Sequence, residues 1–198
     1  QLLAYYTEFL AATGIRPGEE ALGVKWKHIS TYKPKIDYDE IFRDPVKQAM
    51  RSIMDKFLVD DDIVKVIVTN GKIHNRSDAK QQRIVIARDD IKITLSNIRG
   101  LTRRTNDEDF VFATQMGKPM KGFSPMFTKF LNECGLLYTN DDRRRVLYSI
   151  RHYYTNMTIK KDNLPMIVIA QNMGTSLEMI EDYYADNMVE DFAETLSK

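Results

Sequence analysis

The sequence lacks most of the features that quickly assign a chain to a class of protein. Its one cysteine, Cys134, cannot form an internal disulfide and does not have the paired spacing of a zinc site. We expect Cys134 to be a buried small hydrophobic residue, because free cysteines are most often buried. No apolar run of about 18 residues and no charged-then-apolar leader occurs, so we expect neither a membrane span nor a secretory signal. These absences favour a reducing, intracellular setting.

The chain also lacks an excess of either charge. Its 29 Lys and Arg residues against 28 Asp and Glu residues leave a formal net charge of +1. Overall charge therefore does not indicate a nucleic-acid partner, and a polyanion would have to bind a local patch. Charge runs more often form solvated surfaces than binding sites. The candidate basic residues are Arg103, Arg104, Lys118, Lys121 and Arg143–Arg145.

The residues that are present predict one globular domain. With 198 residues, 43% of them apolar, the chain can bury a sizeable core. Apolar spacing predicts helices over residues 2–12, 17–24, 46–58, 91–100, 124–131, 148–159, 164–173 and 176–184. Two β-branched runs, at 63–69 and 83–87, predict a hairpin with a long loop, and residues 31–44 are interpreted as a loop with one short strand at most. The predicted fold class is mainly α with a small antiparallel β-sheet.

Two arginines and a late tyrosine indicate phosphoryl transfer. Arg16 lies in Thr13–Glu19 (TGIRPGE), Arg151 in Tyr148–His152 (YSIRH), and Tyr184 closes the run from 173 to 184 (MGTSLEMIEDYY). A guanidinium is a planar fork of donors that matches the paired oxygens of a phosphate, and a tyrosine hydroxyl can form a phosphoester.

The surroundings of Arg16 strengthen this interpretation. Pro17 suits the first turn of a helix, so Arg16 is predicted at a helix N-terminus, which favours an anion. Flanking glycines let a phosphate approach the backbone, and Glu19 is near enough to hold the guanidinium by paired hydrogen bonds. An isolated arginine at a helix start is otherwise usually solvated.

The aromatic residues near Arg151 and Tyr184 also have structural interpretations. An aromatic stripe on the helix that begins at Tyr148 is usually core packing, and His152 alone has neither metal nor triad geometry. Tyr183 and Tyr184 diverge by roughly 100° if both are helical, so one of them is free to face a cleft.

Taken in order, four segments resemble the catalytic domain of the tyrosine recombinases, particularly the phage-type integrases. They are Thr13–Glu19, Asn70–Lys72 (NGK), Tyr148–His152 and the run from Gly174 to Tyr184. Each segment alone is weak, but their order, their distribution over nearly the whole chain and the final spacing to Tyr184 make the combination fairly specific. The segments Asp109–Phe112 (DFVF) and Gly117–Pro119 (GKP) are also similar to those that precede the second arginine motif.

The resemblance implies a role for each matching residue. Arg16 and Arg151 become the two catalytic arginines, Glu19 the supporting carboxylate, Lys72 the hairpin lysine that acts as general acid, and Tyr184 the nucleophile. Lys80 is an alternative general acid because the hairpin loop is long. The implied reaction cleaves and rejoins DNA through a 3′-phosphotyrosyl bond without a metal or other cofactor.

Two positions depart from the family pattern. Tyr148 and Thr175 stand where histidines are often found. Both are therefore candidate catalytic residues, with side chains that transfer protons differently from a histidine. A catalytically silent DNA-binding relative is one alternative that these replacements raise. A type IB topoisomerase and a helical protein-interaction domain are two others, the second favoured by the balanced net charge.

The resemblance also implies how the protein is organised and where it acts. Residues 1–198 are expected to form the catalytic domain, with 31–62 as an insertion and without the N-terminal DNA-clamping domain, since only about one helix precedes Arg16. The implied partner is double-stranded DNA in a bacterial cytoplasm, as for proteins of phages and other mobile elements. The implied assembly is a homotetramer on paired DNA sites, while the isolated domain can be monomeric.

Overall fold

The computed structural model describes residues 1–32, 62–69, 82–162 and 164–182. This part of the chain is mainly helical with a small antiparallel sheet, which confirms the predicted fold class. The predicted helix at 46–58 and almost all of the predicted insertion at 31–62 lie outside the described residues.

The described elements agree closely with the periodicity of the sequence. The helices are α1 (Leu2–Thr13), α2 (Glu19–Leu22), α3 (Ile91–Thr102), α4 (Ser124–Glu133), α5 (Tyr148–Asp162), α6 (Met166–Met173) and α7 (177–182). The strands are β1 (Ile29–Tyr32), β2 (Ile63–Val68) and β3 (Arg83–Ile86). The predicted helix at 17–24 is reduced to the single turn of α2, because Gly18 takes a positive φ of 98° directly before it.

The sheet has the order β1-β2-β3, and both strand pairs are antiparallel. Alternate residues of β2, such as Val66, are buried, and Val66 lies opposite Ile29 and Val85. The predicted hairpin strands are confirmed. Strand β1 was not predicted as such, because its residues are half-buried or exposed and so show no apolar alternation.

The larger core forms around α1, which packs against α3 and α5. Four aromatic residues lie at its centre and contact one another edge-on or tilted: Tyr6, Phe9, Phe112 and Phe123. The ring of Phe112 lies 4.9 Å from that of Tyr6 and 5.2 Å from that of Phe9, measured between centroids. Aromatic pairs at this spacing add to the energy of simple burial.

A second, smaller core joins α5, α6 and α7. Ile180 of α7 is buried there together with Tyr154 of α5 and with Ile169 and Met173 of α6. Ser176 caps the N-terminus of α7, since its Oγ accepts a hydrogen bond from the Met179 N–H at 3.2 Å. The described residues of α7 are thus fixed at the helix start and along one face.

The prediction for Cys134 is wrong. Cys134 is exposed and free at the end of α4, where the chain turns through Gly135 in the left-handed region. Because α4 ends at Glu133, Cys134 lies in the exposed turn after the helix and not on the buried face of the helix. None of the helices in the described segments has the length and apolar character needed to cross a membrane.

Replacing Phe112 with alanine should test the aromatic core. Phe112 is fully buried, and we expect Phe112→Ala to lower the free energy of unfolding by about 3–5 kcal/mol. The matched control is Phe130→Ala, because Phe130 is 52% exposed and should cost no more than about 0.5 kcal/mol. Urea denaturation of both variants gives the comparison, and equal losses would contradict this assignment of the core.

Candidate active site

Arg16 contacts two segments of the fold, the short helix α2 and the end of α6. Its Nη1 forms an ion pair with Glu20 Oε1 at 2.7 Å, and its Nη2 donates to the Gly174 carbonyl at 2.5 Å. The Arg16 side chain retains 23% of its surface exposed. Five N–H donors are available on a guanidinium, so Arg16 keeps donors for a ligand from solvent.

The carboxylate that holds Arg16 is Glu20, whereas the sequence predicted Glu19. Glu19 is exposed, while the Glu20 side chain is only 5% exposed and also accepts the Arg16 backbone N–H at 3.3 Å. The prediction was wrong because α2 begins at Glu19, after the turn at Gly18, and this turn directs Glu20 rather than Glu19 inward.

Arg151 is buried, and both of its Nη atoms donate to backbone carbonyls. Its Nη1 donates to the Gly14 carbonyl at 2.5 Å and its Nη2 to the Met173 carbonyl at 2.9 Å. The two carbonyls that follow each other at the end of α6, those of Met173 and Gly174, therefore bind Arg151 and Arg16 respectively. The structure thus brings the two predicted arginines to one place.

Both arginines bind helix ends whose backbone requires glycine. Gly14 ends α1 and Gly174 ends α6, each in the left-handed region with φ of 63° and 67°. Helix C-termini carry unpaired carbonyls and a partial negative charge, which favours a cation there. A side chain on Gly14 would also collide with the Tyr154 ring, because an added Cβ would lie 2.4 Å from it.

Arg83 is a third arginine of this cluster, and the sequence analysis missed it. Its Nη2 forms an ion pair with Glu20 Oε2 at 2.6 Å, and its Nη1 donates to the Asn172 carbonyl at 2.5 Å. One signal could have revealed it: position 83 alternates with the buried Val85 and Ala87, so an arginine falls on the inner face of a strand. Such a residue needs a buried partner.

The cluster carries an excess of positive charge. Among the described residues, three guanidinium groups, those of Arg16, Arg83 and Arg151, lie around one carboxylate, that of Glu20. Burial, followed by the charge of Arg16, lowers the pKa of Arg151 to about 10. Burial also lowers the pKa of Arg83, against the opposing effect of Glu20. An anion bound here would relieve the repulsion.

The two positions that depart from the family pattern flank the arginines. Tyr148 begins α5 one turn before Arg151, is 42% exposed and packs its ring 5.3 Å from that of His152. Thr175 is half-buried and follows Gly174, and its N–H donates to the Ala170 carbonyl at 3.0 Å. Burial, followed by the charge of Arg151, lowers the pKa of His152, which favours the neutral imidazole at pH 7.

The remaining predicted site residues lie outside the described residues. They are Lys72, its alternative Lys80, and Tyr184 with its neighbour Tyr183. Their roles stay predictions, and the described chain leads from Gly174 through α7 toward position 184.

The residues of the predicted basic patch are exposed or half-buried, and some of them hold loops. Arg143 pairs with Asp141 at 2.7 Å, and Arg145 donates to the Leu136 and Tyr138 carbonyls at 2.7 and 2.6 Å. These contacts leave part of each guanidinium facing solvent. A role in binding phosphates stays a prediction.

Comparison with solved structures identifies the fold. The chain is similar to XerA recombinase, with 16% identity and a TM-score of 0.61 over 98% of this chain. It is also similar to XerH site-specific recombinase in a post-cleavage complex with its difH substrate, with 17% identity and a TM-score of 0.59 over 98% of this chain. A third similar structure is the Tn1549 transposon integrase in complex with transposon right end DNA, with 12% identity and a TM-score of 0.60 over the full chain.

These similarities confirm the tyrosine recombinase resemblance at the level of the fold. The chain spans about half the length of these structures, covering 57% of XerA, 45% of XerH and 58% of the Tn1549 integrase. No family model matches the sequence, and no curated protein matches it.

A methyl group added to Gly14 should disrupt the arginine cluster. We expect Gly14→Ala to destabilise the fold by more than about 2 kcal/mol, because a left-handed backbone alone costs about 1–2 kcal/mol for alanine and the Tyr154 ring must also move. Gly100→Ala is the matched control. Gly100 is helical with no atom near its missing Cβ, so alanine there should stabilise by about 0.5–1 kcal/mol. Thermal melts that rank the variants the other way would contradict this geometry.

Removing the Glu20 charge should destabilise the protein in a way that an anion repairs. A broken buried ion pair typically costs ~3–5 kcal/mol, and partial exposure of Arg16 reduces this to about 2 kcal/mol for Glu20→Gln. Sulfate should recover more of the loss than chloride at equal ionic strength, since it can replace the carboxylate between the arginines. Glu19→Gln should behave as the wild type in both salts. Differential scanning fluorimetry checks this, and an equal sulfate effect in all three proteins would count against an anion site.

Proposed function

We propose that this chain is the catalytic domain of a site-specific DNA recombinase or integrase that cleaves and rejoins DNA through a 3′-phosphotyrosyl intermediate. The observation that carries the proposal is the pair of adjacent carbonyls at the end of α6, which bind Arg151 and Arg16 side by side. This pair lies in the turn that leads into α7 and so toward Tyr184. The excess positive charge at that point suits a phosphodiester.

Tyr184 is the proposed nucleophile. Its hydroxyl oxygen attacks the phosphorus of a DNA phosphodiester and loses its proton to solvent, a tyrosyl–phosphorus bond forms, and the bond from phosphorus to the 5′ oxygen breaks. Lys72 donates a proton to the departing 5′ oxygen, with Lys80 as the alternative donor. The bond energy is retained in the phosphotyrosyl ester, so a 5′ hydroxyl of another strand can reverse the reaction without a metal or nucleotide cofactor.

Arg16 is the proposed principal contact to the nonbridging oxygens. Both Nη atoms of each arginine already bind protein acceptors, but the Arg16 side chain is 23% exposed and can offer its remaining donors to a ligand, whereas Arg151 is 3% exposed. Arg151 therefore acts mainly by fixing the ends of α1 and α6 and by adding positive potential. Tyr148 and Thr175, which flank the arginines, are proposed to take the places of the histidines that the family often has.

The proposed partner is double-stranded DNA. The XerH and Tn1549 structures contain DNA, and this supports the same class of ligand for this chain. We further propose that the protein assembles as a homotetramer on paired DNA sites. We also propose that it belongs to a phage or another mobile element.

A DNA-binding protein without catalysis is the second candidate. The burial of Arg151, 3% exposed, and the presence of Tyr148 and Thr175 instead of histidines favour it. Such a protein would bind DNA in a salt-dependent manner and form no covalent complex.

Trapping a covalent intermediate tests the proposal. The protein is incubated with a library of nicked duplexes taken from the DNA that flanks its coding sequence, so that the cleaved fragment is lost and the adduct accumulates. We expect a denaturation-resistant protein–DNA adduct at Tyr184, absent in Tyr184→Phe. Arg16→Ala should slow adduct formation by about 10²–10³-fold, the effect of losing one preorganised donor.

The other outcomes separate the alternatives. Salt-sensitive DNA binding without an adduct would favour the non-catalytic candidate. Relaxation of supercoiled DNA without a defined site would favour a type IB topoisomerase, and no DNA affinity at all would favour a protein-interaction domain. An adduct that persists in Tyr184→Phe would exclude Tyr184 as the nucleophile.

A further inference from the structure

Arg83 occupies a position that links three separate segments of the candidate site. It is the first residue of β3 and pairs with Val68, the last residue of β2. The chain between these two residues contains Lys72 and Lys80. The Arg83 side chain is only 14% exposed, so its contacts are made inside the protein.

The contacts of Arg83 reach both elements that hold Arg16. One is Glu20, whose Oε2 lies 2.6 Å from Arg83 Nη2. The other is the end of α6, where Asn172 offers its carbonyl and where an added Cβ on Gly174 would lie 2.5 Å from Arg83 Nε. Gly174 is the residue whose carbonyl accepts from Arg16. Arg83 therefore packs directly behind both partners of Arg16.

The strand that presents Arg83 is itself fixed to α6. The Asn172 side chain accepts the Ile86 N–H at 2.8 Å and donates to the Ile86 carbonyl at 3.1 Å. Strand β3 is at the edge of the described sheet, and the amide of Asn172 pairs with that edge as a neighbouring strand would. The strand that carries Arg83 is therefore joined to α6 by two hydrogen bonds.

The two oxygens of Glu20 are divided between two arginines. Oε1 binds the Arg16 guanidinium, and Oε2 binds the Arg83 guanidinium and also accepts the Arg16 backbone N–H. Without Arg83, both oxygens are free to pair with Arg16 alone, which is the favoured bidentate geometry of a carboxylate and a guanidinium. Arg16 would then lose its contact with Gly174 and offer fewer donors to an anion.

We propose that Arg83 is a positioning residue, which holds Glu20 and the end of α6 so that Arg16 presents its free donors to a DNA phosphate. This inference rests on the proposed function and deepens it. Arg83 acts by geometry, because its two-pronged contact spans Glu20 and Asn172. A lysine at this position keeps the charge, but it offers a single nitrogen in place of the two separate Nη atoms that reach Glu20 and Asn172.

A double-mutant cycle between positions 83 and 16 tests the inference. Affinity for a fluorescent duplex is measured for the wild type, Arg83→Lys, Arg16→Ala and the double variant, at one salt concentration. We expect Arg83→Lys to weaken binding and to make the further change Arg16→Ala nearly without effect, because Arg16 is already misplaced. Adduct formation by Arg83→Lys should fall by about 10²-fold, as small displacements of catalytic groups can cause.

Controls separate this role from charge and from folding. Arg99→Ala removes an arginine that lies over the Trp26 ring, 4.5 Å from its centroid, rather than in the cluster, so its adduct rate should equal that of the wild type. Thermal melts must show that Arg83→Lys is folded at the assay temperature.

Each outcome decides between the two proposals. Additive effects of the two substitutions, or wild-type behaviour of Arg83→Lys, would overturn the positioning role even if the wild type forms adducts. Strong coupling in DNA affinity without any adduct would support the positioning role and refute recombinase activity. A wild type that binds no DNA would refute both.

Discussion

Buried guanidinium groups require more hydrogen-bond acceptors than the side chains around them supply, and two helix ends provide the remainder. Arg151 takes the carbonyls of Gly14 and Met173, Arg16 that of Gly174, and Arg83 that of Asn172. Burying a charge without partners would cost far more than the fold can tolerate. These contacts bring the ends of α1 and α6 together, and the geometry of the candidate site depends on them.

The three arginines of the cluster differ in how deeply they are buried. Arg151 and Arg83 are mostly enclosed and bound to backbone, whereas Arg16 retains exposed surface. Glu20 neutralises only part of the charge, so the cluster remains positive. A site of this kind is preorganised for an anion, since its dipoles and charges are fixed before the ligand arrives. This positive charge is local, since the whole chain carries a formal net charge of only +1.

The fold is shared with XerA, XerH and the Tn1549 integrase at 12–17% identity. At that identity most residues differ, and the shared architecture reflects helix packing and strand pairing that many apolar side chains can satisfy. The departures at Tyr148 and Thr175 lie beside the arginine cluster and leave its backbone contacts intact. The two replacements therefore affect the proposed proton transfer rather than the backbone contacts of the arginines.

The sequence by itself determined most of the described helices, the two hairpin strands and the motifs that contain Arg16 and Arg151, because apolar periodicity and short motifs are local properties. Only the tertiary structure decided that Glu20 rather than Glu19 holds Arg16, that Arg83 joins the site, that β1 completes the sheet and that Cys134 is exposed. Each of these depends on a turn or on a contact between segments far apart in the chain. Arg83 and Glu20 are 63 residues apart, and no local pattern encodes such a distance.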